Sequence, residues 1–188
     1  VLQYILSLPL LMLESMFMVV ISQYYLGGVE RILMTDVETS ANFYNRSANQ
    51  GDIYAKSNYI FENLDMEEKA LVEVLDLNGC VVIDNTGSSS ETPVNTGDFH
   101  QALHGNIESW TGRSELNELI IAVSAPIYDD NNIVGVLRYV SSLEPTYQII
   151  IRYLLLSLLL GATVVAASFV FARGMSQRIL VPIPELVR

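Results

Sequence analysis

Two histidines four residues apart carry the most suggestive chemistry in the chain. His100 and His104 lie in DFHQALHG, where a helix puts both rings on one face at a spacing able to chelate a metal. Asp98 or Glu108 would add oxygen ligands. No third strong ligand accompanies them, so two solvent-facing rings flanking a Phe99/Leu103 core pair is the preferred reading, and no metal is expected. Glu14 stands inside an apolar stretch. An acid at bilayer depth is costly and a functional candidate by default; the plainer reading is a protonated carboxyl bonded to a neighbouring helix. Cys80, the single cysteine, excludes an internal disulfide framework and suits a small buried strand residue. The acidic pairs Glu67-Glu68 and Asp129-Asp130 would respond to cations or cationic peptides, or simply solvate turns. No Gly-rich phosphate loop is present, and no catalytic residues are expected.

The elements that position these groups follow from the uneven charge. The 188 residues are 51% hydrophobic and 16% charged, far from an ordinary soluble domain. Residues 27–152 hold 19 acidic and 7 basic side chains, whereas the two ends are apolar. That balance argues against nucleic acid, which is engaged by neutralising phosphates with Lys and Arg. Tyr153–Ala172 is 20 residues without a charge between Arg152 and Arg173, enough for a helix to cross a hydrocarbon core. Residues 4–26 predict a first, uncleaved span, with Pro9 in its first turns and Glu14 within it. Arg173, Arg178 and Arg188 mark the far side of the second span as cytoplasmic. Residues 27–152 are then outside and both ends inside. Ser157/Gly161, Ala162/Ala166 and Thr163/Ala167 are spaced for close helix contact. The chain opens at Val1 and stops in a helical pattern at Arg188, as a fragment would.

Between the spans the pattern predicts an α+β domain. Val29, Leu33, Val37, Ala41, Tyr44 and Ala48 form a helical stripe, so the first span continues outward as one long helix. A second helix is expected over residues 53–64. Leu71–Leu77 and Val81–Asp84 alternate as strands around Asn78-Gly79, the signature of a tight hairpin. A loop over 86–97, a short helix over 98–104 and strands over 107–111, 119–128 and 133–141 complete an antiparallel sheet. From Leu143 the chain turns helical into the second span.

The order of these parts, with VLDLNGCVVIDN, DFHQALHG and AVSAPIYDDNNIVGVLRYVSSL between two spans, resembles the sensor module of bacterial two-component histidine kinases. The outer part resembles an extracytoplasmic PAS-like, or single Cache, domain. SQRILVPIPELVR, within residues 173–188, resembles the start of a HAMP linker: Pro182 matches that helix, Ile179, Ile183 and Leu186 are spaced as a coiled-coil seam, and Pro184 departs from it. The resemblance implies a homodimer in the inner membrane answering an outside small molecule, cation or peptide. It further implies a kinase part beyond Arg188 that uses ATP and Mg and addresses a response regulator; within the chain no cofactor is expected. A chemoreceptor, a receptor diguanylate cyclase and a ligand-free anchor are the alternatives. The resemblance also implies a pocket on one sheet face, for which Trp110, Arg113, Tyr128, Arg138 and Tyr139 are candidates. Aromatics would wall it, and an arginine would grip a carboxylate. Strand alternation puts Arg138 and Tyr139 on opposite faces, so at most one of them lines it. Core packing for Trp110 and surface charge for the arginines are the plain alternatives.

Overall fold

A 46-residue helix, α1 (Leu2–Ser47), opens the chain. The computed structural model describes residues 2–47, 52–63, 70–114 and 116–179. Pro9 lies within α1 past its first turn, so the helix forgoes one N–H to carbonyl bond there. The outer half of α1 is amphipathic: Leu33, Val37, Ala41 and Tyr44 are buried, as their spacing requires, while Ala48 lies outside the described residues. The chain divides into two compact units, residues 25–147 and a unit made of residues 1–24 with 148–188.

The first unit is α+β. After α2 (Ile53–Asn63) come β1 (Leu71–Leu75), β2 (Val81–Asp84), α3 (Gly97–Leu103), β3 (Glu108–Arg113), β4 (Leu119–Asp129) and β5 (Asn132–Ser142). The strands form one antiparallel sheet in the order β2-β1-β5-β4-β3. One face, carrying Val72, Val74, Val123, Leu137 and Tyr139, packs with the α1 stripe and with Ile53 and Ile60 of α2. Lys56 fastens α2: it is buried, donates to the Tyr128 carbonyl at 2.6 Å and pairs with Asp129 at 3.2 Å. Asn45 of α1 accepts the Tyr128 N–H, and Ser40 meets the Tyr139 hydroxyl at 3.0 Å. The other face packs Leu75, Val81 and Val136 against Phe99 and Ala102 of α3.

The tight turn expected at Asn78-Gly79 forms at the other hairpin instead. β1 and β2 do pair, but through the longer loop 76–80, because the Asp76 carboxylate accepts the N–H groups of Asn78 and Cys80. Gly79 alone takes positive φ, +89°, so the two-residue Asn-Gly turn does not form. That turn geometry belongs to β4–β5, where Asp129 faces Asn132 and Asp130 and Asn131 both have positive φ. Cys80 is half-buried in the loop rather than in a strand. β3 begins and ends one to two residues later than the expected strand, paired along its length with β4. Leu64, Glu67 and Glu68 lie outside the described residues.

The second unit contains the inner part of α1 and most of α4 (Glu144–Ile179). Among the described residues one helix, spanning Glu144–Phe171, is long and apolar enough to cross a membrane. Leu155, Leu159, Val170 and Phe171 are exposed along it, an apolar surface that water does not tolerate at this length. Of the three small-residue pairs, only Ser157/Gly161 is turned inward; the other two face outward. The Glu14 carboxylate lies directly against Gly161, where no side chain obstructs it. Residues 180–188, the end of the expected HAMP start, lie outside the described residues.

Candidate ligand-binding site

Alternation along β1, β3 and β5 brings Glu73, Trp110 and Arg138 to the sheet face opposite α1. There they border an open cavity of about 690 Å³, within the range of small-molecule sites. The floor is Glu73 with Arg138 and Val140, one wall is Trp110 with Ile120, and the rim is the loop over residues 90–96. That rim is held by reciprocal Val81–Ser90 backbone bonds and by Val94 N–H donating to the Gly79 carbonyl. Gly112 lets the Trp110 indole lie over the β3 backbone, because a Cβ there would occupy the space of its six-membered ring.

Arg138 is the electrostatic centre. It is 5% exposed, and its Nε donates to Asp98 Oδ2 at 2.9 Å while Nη1 donates to Glu73 Oε2 at 2.8 Å. Glu73 and Arg138 are register partners on neighbouring strands. Asp98, from α3, is fully buried and also accepts from Ser124 Oγ at 2.7 Å. Burial alone would raise the Asp98 pKa; the Arg138 guanidinium beside it, with the hydroxyls of Thr96 and Ser124, outweighs burial and holds it below the ordinary carboxylate value. Among the described residues, the buried Ser114 Oγ makes no hydrogen bond. Thr96 and Ser114 both line the cavity.

Of the five residues expected to line a pocket, Trp110, Arg113 and Arg138 come together here. Arg113 sits exposed, donating to the Asn117 carbonyl at 2.8 Å. Tyr128 and Tyr139 do not line this cavity. Tyr128 places its hydroxyl beside Gly105, past the end of α3. Tyr139 is buried on the α1 face, where it borders a smaller cavity of about 370 Å³ with Leu33 and Ala70. The sequence does not mark Glu73, and it marks Asp98 only as a metal ligand. Neither histidine lines the cavity: His100 Nε2 contacts Asn95 Oδ1 of the rim at 2.6 Å and His104 Nδ1 contacts the His100 carbonyl at 2.7 Å. Among the described residues no group of three or more His, Cys, Asp or Glu side chains is placed to hold a metal.

No protein-family model matches the chain, and no curated protein matches it either. Solved structures do. The ligand-binding domain of the Campylobacter jejuni chemoreceptor Tlp3, in complex with 4-methylisoleucine, aligns at 18% identity and a TM-score of 0.54, over 74% of this chain and 61% of that one. The ligand-binding domain of the Pseudomonas aeruginosa amino acid chemoreceptor PctC, in complex with GABA, aligns at 16% identity and a TM-score of 0.52, over 72% and 62%. An extracellular ligand binding receptor from Desulfohalobium retbaense aligns at 15% identity and a TM-score of 0.50, over 68% and 24%. The chain thus spans about 60% of the length of the two chemoreceptor domains. The likeness is one of fold: a long helix beside a five-stranded antiparallel sheet.

Proposed function

We propose that this chain is the sensing part of a bacterial transmembrane receptor, and that the cavity over Arg138 holds its small-molecule stimulus. The observation that carries the reading is connectivity. β5, which bears Arg138, ends at Ser142, and the membrane-length helix α4 starts at Glu144. A shift of the cavity floor is therefore delivered directly to a helix able to cross a bilayer. In this account residues 4–26 are a first span, 153–172 a second, 27–152 the extracytoplasmic domain and 173–188 the start of a HAMP linker. The receptor is a homodimer of the inner membrane. Its output is a histidine kinase beyond Arg188, using ATP and Mg and signalling to a response regulator. The ligand shifts two arrangements of the domain only by its differential affinity for them, about 5.5 kcal/mol for a full swing.

A chemoreceptor output is the second reading, favoured by the chemoreceptor domains of like fold. Ligands named for those domains, 4-methylisoleucine and GABA, are of a size that a cavity of about 690 Å³ admits. The test is a chimera joining residues 1–188 to the output half of a histidine kinase with a reporter gene. Reporter activity that changes with an external metabolite mixture, and no longer does so in Trp110→Ala, is expected. A chimera that signals constitutively but ignores every mixture would refute the sensing role.

A further inference from the structure

Charge inside the cavity indicates what kind of molecule it accepts, granted the sensing role just proposed. Arg138 faces two carboxylates with one positive charge. Asp98, fully buried and bonded to Ser124 as well, has no route to solvent. The guanidinium that an anionic ligand would need is thus already engaged, and a carboxylate arriving there would meet Glu73 as a like charge. Glu73 is the uncompensated member. Its side chain is 13% exposed and lines the cavity, and its Oε1 accepts no hydrogen bond from the described residues. At the mouth, Arg113 and Glu118 offset one another, so the lining itself is balanced, and the one negative charge in excess comes from counting Asp98, buried behind Arg138. Ser114 Oγ adds a buried, unbonded oxygen on the same lining. Trp110 supplies an aromatic surface, which attracts cations. A metal ion is a poorer match, because three ligating side chains are not gathered among the described residues.

We propose that Glu73 sets the specificity of this cavity, and that the ligand it selects carries a positively charged organic nitrogen, as a protonated amine, a quaternary ammonium or the ammonium end of a zwitterion. Arg138 is the fixed counter-charge to Asp98, rather than the anion clamp that its place on a strand first suggests. Glu73 receives the ammonium through Oε1 while keeping its bond to Arg138 through Oε2.

The test is calorimetric titration of the full chain in lipid nanodiscs with choline, putrescine, leucine and succinate. Choline, putrescine or leucine is expected to bind and succinate to fail. Glu73→Gln keeps an acceptor for Arg138 and removes the charge; it should weaken the ammonium probe by about tenfold or more. Glu73→Asp should recover part of that loss, and Glu38→Gln, exposed on α1 and away from the cavity, should cost less than about twofold. A melting curve of Glu73→Gln checks that the domain is folded. Succinate binding that survives Glu73→Gln, or ammonium binding indifferent to it, would overturn the inference and leave the sensing role standing. Failure of all four probes would also overturn it, whereas the sensing role stands or falls with the chimera.

Discussion

Replacing Asp98 by Asn removes one buried charge at constant volume, and the structure says what that costs. Asp98 Oδ2 accepts a charge-assisted bond from Arg138 and a hydroxyl bond from Ser124. The first contributes about 1.5–3 kcal/mol and the second about 1 kcal/mol. An asparagine oxygen still accepts one of them, and Arg138 keeps Glu73, so the net loss is about 2–3 kcal/mol. Across a unit of 123 residues that lowers the melting temperature by about 10 °C. Thermal melting of the full chain in nanodiscs, followed by circular dichroism, reads the shift at pH 7. The pH dependence has a definite sign. The folded pKa of Asp98 lies below its ordinary 3.8. The ionised carboxylate therefore stabilises the fold above that value, and the contribution is lost as pH falls through the lowered folded value. Wild type and Asp98→Asn should differ most near neutrality and converge in acid below pH 3.8. A variant melting within about 2 °C of wild type at pH 7, or an undiminished gap in strong acid, would refute the reasoning.

Three other substitutions probe how the helices are fixed to the sheet. Gly135→Ala drives a Cβ into Ile53 and the Leu75 carbonyl, so urea denaturation should show a loss of about 1–3 kcal/mol. Lys56→Met leaves Asp129 without its partner; Asp129 is 23% exposed and reaches water, so the loss should be about 2 kcal/mol rather than the larger cost of a sealed pair. Tyr139→Phe removes the hydroxyl contact with Ser40 and should cost about 1 kcal/mol, with Ser40→Ala adding little in the same background if the two act as a pair.

Local pattern carried the helices and strands. The α1 stripe needed only the 3.6-residue period, and Leu33, Val37, Ala41 and Tyr44 are buried accordingly. Alternation alone separated Arg138 from Tyr139. What the pattern lacked was strand neighbourhood. Glu73 meets Arg138 because β1 lies beside β5, more than 60 residues away in sequence, and no local signal records that pairing. Asp98 resembles an ordinary acid in the first turn of a helix; its burial under Arg138 depends on where α3 docks. The Asn78-Gly79 expectation failed for a different reason, since the Asp76 side chain supplied a competing set of hydrogen bonds. Tyr128 follows a register shift in β4, which a period of two does not reveal.

The receptor proposed above has residues 27–152 and Arg188 on opposite sides of a bilayer. Alkaline phosphatase and green fluorescent protein fusions at Gly97 and Arg188, made in bacterial cells, measure this directly. Active phosphatase is expected only at Gly97 and fluorescence only at Arg188. The same reporter active at both points would contradict it.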